Sequence, residues 1–250
     1  MLEAKNVTIQ FGGLTAVNDV CLTIQPNSIT GLIGPNGAGK TTFFNIISGV
    51  YTPNAGTIEL NGKNIAGLKP YQIMKAGMAR TYQVINLFRE MTSLENVMVG
   101  MHSRLKSGFW SAVLHTPSQR KEEKRAKEIA MQWLDFVGMA DRANDPAGSL
   151  SYGDQRKLEI ARGLASNPSI LLLDEPAAGM NSSEKEELNV LLQRIVEKGI
   201  AVLIIEHDMK LMMGITDYIY VLNYGKKIAE GKPEDIQRNP DVIAAYLGGD

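Results

Sequence analysis

Runs that are apolar or nearly so punctuate this chain at Ile29 to Ile33, Ile170 to Leu173 and Ile200 to Ile205. Each is bounded by turn-forming residues and lacks polar alternation, which predicts a strand covered on both faces, as in a parallel sheet. Where apolar and polar positions alternate, half-buried strands are expected. Leu2 to Ile24 reads as two or three short strands: Val7 to Phe11, a Gly12-Gly13 turn, then Ala16 to Ile24. Thr57 to Leu60 with Asn61-Gly62, and Tyr218 to Glu230 around Asn223-Tyr224-Gly225, read as hairpins. Arg80-Thr81-Tyr82 reads as a further strand.

The helical period takes over elsewhere. Thr41 to Ile47, closed by Gly49, and Glu184 to Lys198, closed by Gly199, read as helices. From about Leu87 to Ser166 the pattern is helical, with Ser93 to Asn96 as one helix start. Within Ser118 to Met139, residues Ala126, Ile129, Ala130, Trp133 and Val137 share one helix face, and the charge run Arg120 to Glu128 is a solvated one. Leu158, Ala161, Leu164 and Ala165 form the stripe of a helix for which Ser151 suits the N-cap, with Asp154 as capping-box acid. That cap could be purely structural. A short helical tail, Pro233 to Leu247, follows the last hairpin.

Between the first buried run and its helix lies Gly34-Pro35-Asn36-Gly37-Ala38-Gly39-Lys40-Thr41-Thr42. It fits the phosphate-binding pattern G-x-x-x-x-G-K-[ST] at every fixed position, in the strand–loop–helix context the motif requires. Glycines let successive backbone N–H groups point inward as a nest for phosphate oxygens, and the helix start adds its positive dipole end. Lys40 is placed to reach the β/γ-phosphates and the Thr41 hydroxyl to ligate Mg²⁺. The motif implies a bound nucleoside triphosphate.

Composition narrows the partners. The 250 residues carry 26 Lys and Arg against 27 Asp and Glu, and a net charge of −1 gives no footprint for nucleic acid. Cys21 is the single cysteine and, in a strand-like run with Val20 and Leu22, is expected as a buried core thiol. No signal pattern opens the chain and no apolar run reaches bilayer length, so a cytoplasmic chain is expected, touching the membrane only through a partner.

Further candidate chemistry sits at the ends of the buried runs. Asp174 and Glu175 follow Ile170 to Leu173, and two carboxylates there are costly unless used or paired. Ligands of parallel sheets bind at that end, and His207, after Ile200 to Ile205, follows the same logic. Phe11 reads equally as a base-stacking aromatic or as a strand residue packed in the core. Gln83 alone reads as a solvated loop residue. Phe109 and Trp110 read as a cap on the helical region or, less simply, as a partner contact, and His102 and His115 lack metal-ligand spacing.

Taken in order, Phe11, Gly34 to Thr42, Gln83, Leu150 to Asp154, Ile170 to Glu175 and His207 resemble the motif series of the ATP-binding cassette (ABC) ATPase family, over essentially the whole chain. The resemblance implies an α/β fold: a P-loop NTPase (RecA-like) parallel-sheet core with an antiparallel β subdomain and an inserted helical subdomain. Residues 1–86 and 167–250 would form the core and β subdomain, and 87–166 the helical one. It implies ATP bound by Phe11, the loop, Gln83, Ser151, Gly153 and Asp154, and Mg²⁺ held by Thr41, Gln83 and Asp174. Glu175 would polarise the attacking water, while His207 and Lys40 contact the phosphates.

In such proteins the signature helix covers ATP bound to the opposite subunit, so a head-to-tail dimer with a paralogue or a second copy is implied. Two positions depart from the common pattern: the signature reads Leu150-Ser151-Tyr152-Gly153-Asp154, and Asn181 stands where an aspartate is usual. Both departures, with YGDQRKLEIAR, DEPAAGMN, EHDMKLMMGI and NPDVIAAYLG, resemble the ATP-binding subunits of branched-chain amino-acid importers, in the form with the longer helical lobe. That implies a subunit peripheral on the cytoplasmic face, membrane permease partners and, indirectly, an external substrate-binding protein. A cleft between Gln83 and Leu87 to Met91 would receive the permease. A soluble cassette ATPase of iron–sulfur assembly and a lipid or lipopolysaccharide exporter are the competing functions.

Overall fold

The computed structural model describes residues 1–101 and 117–247. His102, His115 and the Phe109-Trp110 pair lie outside the described residues. The chain divides into two compact units, Met1–Gln83 with Ser169–Asp250, and Val84–Pro168.

The first unit holds two sheets. β1 (Leu2–Phe11) and β2 (Leu14–Ile24) form one antiparallel hairpin, extended by β4 (Ala55–Leu60) and β5 (Lys63–Asn64) in the order β2-β1-β4-β5. The two or three short strands expected before residue 24 are thus two long ones. Register shifts after Ala4, Val7 and Ile9 break the alternation that would have marked them as continuous. The other sheet has the order β10-β9-β3-β8-β7-β6, with β3 (Ile29–Ile33), β6 (Met78–Arg80), β7 (Ile170–Asp174), β8 (Ala201–Ile205) and β9 (Tyr218–Asn223) parallel. β10 (Lys226–Gly231) closes its edge antiparallel to β9. Every residue of β3, β7 and β8 is buried, as their unbroken apolar runs require.

α1 (Lys40–Ile47) buries Phe43, Phe44, Ile46 and Ile47 in a core shared by both sheets. α2 (Pro70–Ala76) was not foreseen, and the strand expected at Arg80 to Tyr82 lies two residues earlier. Pro70 in its first turn and Gly77 just past its end (φ 110°) are the sequence signals that mark α2. Cys21 is half-buried and not a core thiol. Alternation with the buried Val20 and Leu22 turns it to the other face of β2, where Sγ accepts the Asn6 N–H at 3.2 Å. The unit is completed by α6 (Ser182–Glu197), α7 (Met209–Ile215), α8 (Pro233–Arg238) and α9 (Pro240–Leu247).

The second unit is helical: α3 (Ser93–Gly100), α4 (Pro117–Phe136) and α5 (Tyr152–Ala165). The expected face of α4 points inward, with Ala126, Ala130 and Val137 buried and Ile129 and Trp133 half-buried. α3 is capped by Thr92, with Glu95 answering as its capping-box acid. The Asn96 side chain, fully buried, accepts the Phe88 N–H and donates to the carbonyls of Phe88, Met91 and Thr92. That staple fixes the loop before α3 while Phe88 and Met91 stay exposed. Among the described residues no helix is long and apolar enough to cross a membrane.

Candidate nucleotide site

The phosphate loop leaves β3 through Gly34 at φ 151°, where a Cβ would lie 2.1 Å from the Leu222 carbonyl oxygen, so only glycine fits. Gly37, at φ 77°, faces open space: a Cβ there would meet no atom within 4 Å. This is the cradle a phosphate chain needs. It opens on a cavity of about 410 Å³ lined by Asn36, Gly37, Ala38, Gly39, Lys40, Thr41, Thr42, Gln83, Glu175 and His207. Leu14, Thr15, Ala16, Tyr224 and Gly225 complete the lining. The Gly225 N–H donates to the Ala38 carbonyl at 3.0 Å and its own carbonyl accepts the Asn18 N–H at 2.7 Å, so the last hairpin's turn is tied to the loop.

Lys40 begins α1 and is buried, its Nζ donating to the carbonyls of Gly34 at 2.7 Å and Pro35 at 2.9 Å. Burial pushes its ammonium below the ordinary lysine value, and the Glu175 charge opposes that shift. Glu175 bridges two loops: its Oε1 lies 2.7 Å from His207 Nε2 and its Oε2 accepts from Gln83 Nε2 at 3.0 Å. Its backbone adopts φ 48°, rare for a residue with a Cβ, and is held there by the Glu175 N–H donating to the Ile205 carbonyl at 2.9 Å.

Asp174 is buried and accepts from Arg80 at 3.0 Å. It does not line the cavity surface, and neither do Gly34, Pro35 or Phe11. The core-packed reading of Phe11 fails: it is exposed, edge-on to Tyr51 with ring centres 5.2 Å apart. Thr41 hydroxyl and Asp174 carboxylate are the hard oxygen donors that Mg²⁺ takes. Among the described residues no three His, Cys, Asp or Glu converge to hold a metal. This donor set therefore suits a cation that completes its shell with phosphate oxygens and water.

Glu206 escaped sequence reasoning because it reads as one more acid in the run Glu206-His207-Asp208. Glu206 is buried, and its Oε1 accepts the Ala177 N–H at 2.6 Å while Oε2 accepts the His207 N–H at 3.2 Å. It joins the turn after Glu175 to the histidine loop. Burial pushes its carboxyl up from the ordinary 4.5, against the two backbone N–H bonds. The native state therefore holds this proton more tightly than the unfolded chain does. The resulting stability is present below about pH 4.5 and is lost as pH rises through the native value. Relative to Glu206→Gln, which cannot titrate, the wild type is expected to lose unfolding free energy as pH rises from 4 to 7. A pH-independent difference in urea unfolding would count against that assignment.

The ABC transporter profile matches residues 17–178, and a profile for branched-chain amino acid ATP-binding cassette transporters matches residues 226–250. The chain belongs to the ABC transporter ATPase family. Over 249 residues this ABC ATPase is 50% identical to the high-affinity branched-chain amino acid transport ATP-binding protein LivG of Escherichia coli (strain K12), covering 99% of this chain and 98% of that one. Among solved structures it resembles the ADP conformation of MJ1267, an ATP-binding cassette of an ABC transporter (TM-score 0.86, 28% identity, 99% and 98% covered). It also resembles the dimeric post-hydrolysis state of the cassette MJ0796 bound to ADP and Pi (TM-score 0.77, 26% identity, 93% and 99% covered). The ABC ATPase binds nucleotide.

The signature residues of the ABC ATPase lie in its helical unit. Ser151 is the N-cap of α5, accepting the Asp154 N–H at 3.2 Å, while its hydroxyl donates to the Asp154 carboxylate at 2.8 Å. Asp154 therefore grips the cap hydroxyl and not the cap N–H, its side chain being a methylene shorter than the glutamate of a full capping box. Gly153 is buried behind them. Asn181 caps α6: its side chain accepts from the N–H groups of Ser183 at 2.9 Å and Glu184 at 3.0 Å, and Glu184 returns the bond to the Asn181 N–H. Asparagine caps as well as aspartate, so this departure keeps the helix start. Asn181→Ala is expected to cost about 1 kcal/mol in urea unfolding. A loss below a few tenths would show that the cap is not needed.

Proposed function

We propose that this chain is the ATP-hydrolysing subunit of an ABC importer, coupling hydrolysis to transport of branched-chain or other hydrophobic amino acids through a membrane permease. The near-full-length likeness to LivG carries the transport reading. The Glu175 bridge to Gln83 and His207 beside the phosphate cradle supports the chemistry.

Loop N–H groups and Lys40 take the β/γ-phosphate oxygens. Glu175 accepts a proton from the water that attacks the γ-phosphorus, and the bond to the β-phosphate oxygen breaks as ADP leaves with its electron pair. His207 and Gln83, already hydrogen-bonded to Glu175, hold its carboxylate in position. Thr41, Asp174 and Gln83 would hold Mg²⁺, which when bound would supply positive charge against the negative charge that develops on the transferring phosphoryl group. Phe11, exposed at the end of β1, is the candidate aromatic for stacking on the base. Ser151, Gly153 and Asp154, at a helix N-terminus whose N–H groups suit an anion, would meet ATP bound to a second ATPase subunit. The dimeric MJ0796 cassette supports pairing with a second cassette subunit.

The exposed Phe88 and Met91, held by the Asn96 staple, offer apolar anchors to a permease. The subunit would sit on the cytoplasmic face, peripheral to the membrane, and meet a substrate-binding protein only through the permease. Co-purification from native membranes tests this: two hydrophobic permease chains and a second cassette subunit are expected. A stable complex with soluble partners alone would move the chain to another cassette function, such as iron–sulfur assembly.

A further inference from the structure

The Asp174 carboxylate is not left to orient itself. Arg80, the last residue of β6, donates through Nη2 to Asp174 Oδ2 at 3.0 Å, and both side chains are more than nine-tenths buried. Its Nη1 donates to Asn45 Oδ1 at 2.7 Å and Ser48 Oγ at 2.6 Å, both at the far end of α1. The guanidinium carbon lies 5.7 Å from the Phe44 ring centre and 5.0 Å from that of Tyr82. One planar group thus ties together three elements that each carry part of the site. α1 starts with Lys40 and Thr41, β7 ends in Asp174 with Glu175 next in the chain, and the chain leaving β6 reaches Gln83 three residues later.

We propose that Arg80 is a positioning residue that fixes the Asp174 carboxylate for Mg²⁺ and so sets the preference of the site among divalent cations. The inference rests on the reading of Asp174 as a metal-holding carboxylate. Mg²⁺ demands near-ideal octahedral geometry at short distances, whereas Ca²⁺ accepts longer and more variable ones. A carboxylate pinned by a fork that is itself pinned on its other side serves the stricter ion. A loosened carboxylate penalises Mg²⁺ more than Ca²⁺. The positive charge of Arg80 acts alike on both ions because they carry the same charge. The preference between them therefore reads geometry and not electrostatics.

The test measures affinity of the full chain for a fluorescent ATP analogue while Mg²⁺ or Ca²⁺ is titrated. Arg80→Lys keeps the charge but loses the planar fork. The preference for Mg²⁺ over Ca²⁺ is expected to fall about tenfold, in the range of lost outer-shell partners, with affinity in EDTA retained. Asn45→Ala leaves the Arg80–Asp174 pair in place and is expected to give a smaller loss in the same direction. It also serves if Arg80→Lys does not fold. A merely structural Arg80 would lower the melting temperature and leave the preference unmoved; that result in whichever variant folds overturns the proposal. Asp174→Asn separates the two layers. If it leaves the metal dependence of nucleotide affinity unchanged, the reading of Asp174 itself fails. If it removes that dependence while the Arg80 and Asn45 variants keep the preference, only the role of Arg80 fails.

Discussion

Glu175→Gln is expected to lower ATP turnover by about 10²–10⁴-fold, the range a positioned general base contributes, while nucleotide affinity stays near wild type. The structure explains why the two should separate. Glu175 accepts from Gln83 at 3.0 Å and meets His207 at 2.7 Å. A glutamine can keep both contacts: its oxygen accepts from Gln83, and its amide donates to His207 Nε2 when that ring carries its proton on Nδ1. Shape, loop positions and the φ 48° backbone survive, and the proton acceptor is removed. Phosphate release and fluorescent-nucleotide binding measured together check this. With ATP present, a dimer of the variant should also accumulate in size-exclusion chromatography. Turnover within about threefold of wild type, far below the range for a general base, would remove Glu175 from that role.

The pairing of Glu175 with a glutamine and a histidine from distant loops bears on what the sequence could reveal. The buried runs at Ile29, Ile170 and Ile200 were legible because a strand covered on both faces leaves no polar position to confuse its period. Their carboxyl ends then pointed to Asp174, Glu175 and His207, since a parallel sheet gathers such ends on one side. Local alternation failed where the chain bulges, as in β1 and β2, and where a three-residue strand such as β6 is too short to carry a period. It misplaced Cys21 because alternation tells which residues share a face but not which face is covered. Arg80 and Glu206 were invisible for a different reason. Each works through at least one partner far away in sequence, at Asn45, Ser48 and Asp174 for one and Ala177 for the other. A charge in a strand or an acid in an acidic run has no pattern until the fold closes around it. Tyr224 read only as a turn residue, yet the tie from Gly225 to Ala38 brings that turn to the cavity.

The loop itself is tested by Lys40→Ala, for which the expected result is a loss of ATP affinity out of proportion to the loss of stability. Hydrogen bonds to charged groups contribute about 1.5–3 kcal/mol each, so removing the ammonium from the phosphates should weaken binding by about ten- to a hundredfold or more, at one factor of ten per 1.4 kcal/mol. Stability responds to two opposed changes. The carbonyls of Gly34 and Pro35 lose a charged donor each, at about 1.5–3 kcal/mol per bond. Against this, a buried ammonium whose pKa is lowered by desolvation is a charge the folded state holds at a cost, and alanine relieves it. The two oppose each other, so the melting temperature should fall by less than the lost bonds alone imply, while the nucleotide-binding curve shifts by about one to two decades. That split distinguishes a phosphate ligand from a structural lysine, which would do the reverse. A large fall in melting temperature with unchanged ATP affinity would mean that Lys40 serves the Gly34 and Pro35 carbonyls alone. The cradle at Gly37 would then have to hold phosphate through backbone N–H groups and the helix start, without a cation of its own.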